Sequence, residues 1–140
     1  DASLYVGRDL FVQDGSIIVT NGNVQITGNL TATTKSFLIK HPTKEGKQLQ
    51  YGNLEGPEYA IYERGRIIGT NTIKLPEYWS VLTREDSVTV QLTSNKPHLM
   101  FVKEITPNTI KVGKIGFGKI DCFYTIYAER KDVEKLNIEK

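Results

Sequence analysis

Between residues 4 and 30, apolar doublets recur with one residue between their members: Leu4/Val6, Leu10/Val12, Ile17/Val19 and Val24/Ile26, with Leu30 closing the series. The doublets start 6, 7, 7 and 6 residues apart, and Gly7, Asp14-Gly15, Asn21-Gly22-Asn23 and Gly28-Asn29 stand between them. Within a doublet the period is two, the period of a strand. Turn formers every few residues keep each strand very short. Strands this short cannot bury their apolar sides alone and need neighbouring turns or neighbouring chains to close a core.

Two arrangements satisfy that need. One is a pair of ordinary hairpins packed on a domain. The other is a β-stem in which identical chains wind together around one apolar axis. The composition favours the stem. Residues 1–34 contain no Lys, Glu, Pro, His or Cys, and their charges (Asp1, Arg8, Asp9, Asp14) sum to −2, against +4 for the remainder. Long charged side chains suit a broad solvated face, whereas Asn, Thr and Ser are short enough to decorate a tightly wound one.

From Lys35 the chain takes on the composition of a globular domain. Phe37-Leu38-Ile39 begins a short strand that Pro42 bounds, and 41–46 reads as a turn. Tyr59 to Ile68 is an extended run broken at Gly65. Pro76 opens a short helix reaching Leu82. Ser87 to Ser94 sets Val88, Val90 and Leu92 against Thr89, Gln91 and Thr93, a half-buried strand. Further strands are expected over Leu99 to Ile105, Thr109 to Val112 and Lys119 to Glu129. The last of these places Ile120, Cys122, Tyr124, Ile126 and Ala128 on one face, and Gly113, Gly116 and Gly118 form a loop before it. Residues 130–140 read as a terminal strand or a short helix. About seven short strands at regular spacing predict an antiparallel sandwich or barrel. The fold class expected is therefore all-β: an intertwined stem over residues 1–34 and a globular head over residues 35–140.

Several functions find no footing. A net charge of +2 is no basis for a nucleic-acid-binding glove. No run approaches ~18 apolar residues, so no membrane insertion is expected, and no leader opens the chain. The opening Asp predicts a piece of something longer. The lone Cys122 excludes an internal disulfide framework and a cysteine zinc site, and it fits synthesis in a reducing cytosol. The Asn29-Leu30-Thr31 sequon carries no meaning without secretion.

Candidate chemistry is sparse. Glu55 and Glu58 flank Gly56-Pro57, and paired carboxylates are the machinery of glycosidases. Two Glu at a Gly-Pro turn also suit backbone N–H groups, or ion pairs with Arg64 and Arg66. The single Trp79 reads as a core anchor and not as the wall of a sugar cleft. A metal cluster of His41 or His98 with Glu55 and Glu58 would need the fold to assemble it. The Gly113–Lys119 stretch lacks the P-loop order, and Lys119 stands where an RNA-binding strand wants Phe. No catalytic, cofactor-binding or metal residue is assigned, and no cofactor is expected. Tyr51, Tyr59, Tyr62 and Tyr78 are candidates for stacking on glycans.

The segment Ser36 to Arg66, SFLIKHPTKEGKQLQYGNLEGPEYAIYERGR, resembles a stretch of bacteriophage tail-fibre proteins, including long tail fibres of the T-even type. The resemblance rests on His41 to Lys47, Leu54 to Glu58 and Tyr62 to Gly65. It extends through Leu75 to Trp79, Val88 to Thr93 and Tyr127 to Val133, and the repeat before it is similar to fibre shafts. It implies a homotrimeric virion protein made in the host cytoplasm, with a β-structured shaft and a globular head. Its partners would be copies of itself, other fibre or virion subunits, and a host glycan or protein receptor. A related pattern with Glu-Ser-Pro-Glu accompanies a self-cleaving trimerisation chaperone. This chain has the Gly version and no recognisable Ser/Lys cleavage module. The expected role is a structural fibre segment in host attachment, not an enzyme. A carbohydrate-binding tip module is the alternative, and a polysaccharide depolymerase ranks below it.

Overall fold

The computed structural model describes residues 3–139. Asp1, Ala2 and Lys140, the ends of the expected stem and head, lie outside the described residues. Contacts divide the chain into two units, Asp1–Thr33 and Thr34–Lys140.

In the first unit, residues 3–33 form no strand and no ladder, and every described residue is exposed. The chain bends at 7–8, 13–15, 20–22 and 27–28, which are the positions of the turn formers. The bends repeat in detail. At Gly15 and again at Gly22, a Cβ would meet Cγ1 of the valine three residues earlier (Val12, then Val19) at 3.4 Å. Strands expected from the doublets are therefore absent from the single chain, and so are the alternative hairpins. A strand exists by its ladder, and between the bends at 7–8, 13–15, 20–22 and 27–28 no segment of residues 3–33 pairs with another.

The second unit is all-β, with one short helix and a 3₁₀ turn. Its strands are β1 (Ser36–Lys40), β2 (Gln48–Gly52), β3 (Ala60–Ile68), β4 (Thr72–Lys74), β5 (Thr89–Ser94), β6 (Leu99–Thr106), β7 (Thr109–Ile115) and β8 (Asp121–Glu129). The helix α1 spans Trp79–Leu82 and the 3₁₀ turn Glu85–Ser87. All pairings are antiparallel: a β1–β2 hairpin, a sheet ordered β3-β8-β5, and a sheet ordered β4-β7-β6.

One apolar core serves both sheets. Cys122, Ile126 and Ala128 face inward from β8, Ile61 and Ile67 from β3, Ile110 and Val112 from β7, and Trp79 and Leu82 of α1 join them. Phe37, Ile39, Leu49 and Tyr51 attach the β1–β2 hairpin to the same core. After β8 the chain is tied to the end of α1, where Lys131 N–H donates to Leu82 C=O at 2.9 Å and Arg84 N–H to Glu129 C=O at 2.9 Å.

Several expectations need correction. β2 and β4 were not foreseen. β3 runs through Gly65 unbroken, paired with β8 along its whole length, and the ring of Tyr124 on β8 lies over the space a Cβ would take at Gly65. Gly113 belongs to β7 and not to a loop: Phe101 and Lys103 of β6 cover it in the same way. The helix begins at Trp79, three residues after Pro76. Residues 130–139 form neither strand nor helix beyond a single bridge between Thr83 and Arg130.

Candidate functional site

The Leu54–Glu58 turn lines a hollow of about 390 Å³, walled by Phe37, Tyr59 and Arg130 as well as Glu55 and Glu58. Arg130 is buried there. Its guanidinium lies 3.9 Å from the Phe37 ring centroid and donates to both carboxylate oxygens of Asp132, at 2.9 and 2.6 Å. Glu55 is ion-paired with Lys35, and the hydrogen bond from that ammonium lowers the Glu55 pKa. A general acid for glycoside cleavage needs the opposite shift.

Glu55 thus takes Lys35 as its partner and neither Arg64 nor Arg66. Arg66 instead forks onto Asp121, with both N–H···O distances 2.8 Å, and lies 5.3 Å from the Phe123 centroid. Arg64 has no ion pair among the described residues. The expected Glu–Arg pairs are therefore not formed within one chain: β3 projects Arg64 and Arg66 from its outer face, and there Arg66 meets Asp121 of β8.

The Asp121 pKa falls to about 2 under hydrogen bonds from Arg66 and then Asn95. The folded value lies below the unfolded one of ~3.9. The ionised carboxylate therefore stabilises the fold above that value, and the contribution is lost as pH falls toward 2. Asp121→Asn is expected to lower the urea midpoint at pH 6. The gap from the unmodified protein should shrink between pH 4 and pH 2. A gap independent of pH in that window would contradict this account.

The tyrosines divide. Tyr51 and Tyr78 are half-buried and face each other, with hydroxyl oxygens 2.7 Å apart. Tyr51 also donates to Glu63 at 3.1 Å, and burial, then the Tyr78 contact, raises its pKa. His41 packs edge-on against Tyr78, 5.4 Å between centroids. These groups seat the β1–β2 hairpin, so Tyr51 and Tyr78 are corrected from glycan candidates to packing residues. Tyr59 and Tyr62 are exposed, and Tyr62 meets Tyr127 of β8 with centroids 5.8 Å apart.

Tyr127 is the partner the sequence reading missed. Alternation places Tyr62, Arg64 and Arg66 of β3 beside Tyr127, Thr125 and Phe123 of β8, with Thr89, Gln91 and Thr93 of β5 beyond them. A hollow of about 440 Å³ opens beside Arg64, Arg66, Phe123 and Thr125. The whole array is an aromatic and guanidinium face on one sheet.

The remaining candidates are structural. Trp79 is 1% exposed, within the core, and its Nε1–H has no hydrogen-bond partner among the described residues. Cys122 is buried, and burial raises its pKa, the reverse of an activated thiol. His98 Nε2 lies 2.5 Å from the Phe117 carbonyl oxygen. Among the described residues no three His, Cys, Asp or Glu side chains converge as a metal site requires, and no helix is long and apolar enough to cross a membrane. No family model, curated protein or solved structure matches the chain.

Proposed function

We propose that the chain is a structural segment of a homotrimeric bacteriophage tail fibre, with residues 1–34 contributing one third of a shared stem and residues 35–140 a sandwich-like head. The observation that supports this reading best is the state of the first unit. It repeats a bend in which a valine side chain approaches the glycine three residues on, seven residues apart, yet it leaves every apolar doublet uncovered and forms no strand ladder. Two further copies around a common axis would supply the missing ladders and close the apolar column. Closure also removes open strand edges, which otherwise invite aggregation, and cyclic symmetry is the usual arrangement for identical chains.

The role that follows is mechanical and adhesive, not enzymatic. The fibre belongs to the virion, is assembled in the host cytoplasm, and joins neighbouring fibre or virion subunits. The reading requires three chains per particle in solution, which multi-angle light scattering on the intact chain measures.

A second reading draws on the face that carries the Tyr62–Tyr127 pair. Tyr62 and Phe123 are exposed there; with an Arg64 that has no ion pair among the described residues, and with the neutral Thr125 and Gln91, they suit a carbohydrate, which would make the head a receptor-binding module within the same fibre. Silence of the intact chain across an array of bacterial polysaccharides would reject that reading and leave the structural one standing.

A further inference from the structure

The β7–β8 connection carries a phenylalanine with nothing around it. Phe117 is 100% exposed, and it sits between Gly116 and Gly118, whose φ values of 129° and 86° are open chiefly to glycine. The loop that holds it is braced. Lys114 Nζ donates to the Gly116 carbonyl, and His98 of the β5–β6 turn lies 2.5 Å from the Phe117 carbonyl oxygen. Two turns therefore abut at one end of the unit and hold an apolar side chain out in water.

Behind the tip the apolar surface continues. Leu99 of β6 and Ile115 of β7 are register partners, 65% and 63% exposed. Phe101 follows on the same face, over Gly113. Lys103 lies over Gly113 beside it, Lys96 stands in the β5–β6 turn, and Lys119 is two residues past Phe117. None of these three lysines has an ion pair among the described residues. Of the carboxylates on this part of the unit, Asp121 is held by Arg66, with Lys96 acting on it as a lesser charge, and Glu104 is held by Lys111.

We infer that this end of the head seats on an anionic lipid surface, with Phe117 entering the headgroup boundary and Lys96, Lys103 and Lys119 meeting the negative headgroups. The side-chain chemistry selects this occupant. Cores of protein–protein interfaces are depleted of lysine, because each ammonium would be stripped of water. At a lipid surface the same ammonium groups stay hydrated while their stems cover apolar surface. Each basic residue then adds attraction to the anionic leaflet, and an exposed aromatic beside Leu and Ile supplies the apolar part. Contact through one loop tip is peripheral, and no segment need cross the bilayer. The inference rests on residues 95–119 alone, so it and the shared stem can fail separately.

The test is flotation of the intact chain with vesicles of phosphatidylcholine, and with vesicles in which about a third of the lipid is phosphatidylglycerol. Binding to the anionic vesicles only is expected. Phe117→Ser should weaken it roughly tenfold or more, and Lys103→Gln with Lys119→Gln by a similar factor. Phe117 packs on nothing, so its near-UV spectrum and particle mass should stay those of the unmodified protein. Absence of binding to both vesicles, equal binding to neutral ones, or unchanged binding of the variants would each overturn the inference. So would a fall in particle mass for Phe117→Ser, which would assign the patch to a contact between copies.

Discussion

Val12→Asp combined with Val19→Asp is expected to convert the particle from three chains to one. Both valines lie at the repeated bend, each beneath the glycine three residues on. In a shared stem they would face the common axis, where each substitution gathers three carboxylates out of water. Each ionised carboxylate taken out of water without a partner costs several kcal/mol, and like charges gathered at one axis repel one another besides. Asn21→Asp, within the second of the two repeated bends, places the same charge where water reaches it and should leave the mass unchanged. The spectrum of Trp79 reports whether the head has survived. Loss of the trimer in the valine variant with that spectrum intact is the expected pattern. A trimer that persists in the valine variant would remove the doublets from the axis.

Trp79→Ala is expected to be the most damaging single change in the head. Trp79 is 1% exposed and joins α1 to both sheets through the core. Truncating a buried aromatic of this size costs about 3–5 kcal/mol through lost burial and the cavity left behind. Whole domains are stable by only about 5–15 kcal/mol. The urea midpoint should fall by a large fraction of its value. Trp79→Phe isolates one part of that cost. The indole Nε1–H has no hydrogen-bond partner among the described residues, so its replacement forfeits volume but none of the described bonds, and it relieves a buried donor that costs about 1–3 kcal/mol. A phenylalanine variant as unstable as the alanine variant would mean that Nε1 is satisfied after all.

The strands that alternate over many residues were legible in the sequence. β5 and β8 fall close to the expected ranges because Val90 and Leu92 alternate with Thr89, Gln91 and Thr93, and because Cys122, Ile126 and Ala128, spaced by twos and fours, share the buried face of β8. β2 alternates as well, but Leu49 and Tyr51 are set among Gln and Gly, and the preceding turn hides the pattern. β4 has three residues, too few to carry a period. Gly65 and Gly113 read as breaks because a sequence does not reveal that Tyr124 and Phe101 lie across them. Partners distant in sequence were illegible for the same reason: Arg66 finds Asp121, 55 residues away, and Tyr62 finds Tyr127. Of the proposed glycan tyrosines, the two that turned inward do so through a contact between Tyr51 and Tyr78 that only the folded hairpin creates.

The stem is the reverse case. Its periodicity was plain in residues 4–30, and the single chain shows the turns without the strands. A ladder is a property of two segments, and residues 3–33 form none within the single chain. If the stem is shared as proposed, the period describes an assembly that one chain does not display.

The mass of the intact chain in solution by multi-angle light scattering tests that idea most directly. Three chains per particle, held across a tenfold dilution, is the predicted result. A single well-folded chain, with residues 4–30 exchanging their amide protons as fast as an unfolded peptide, would contradict it.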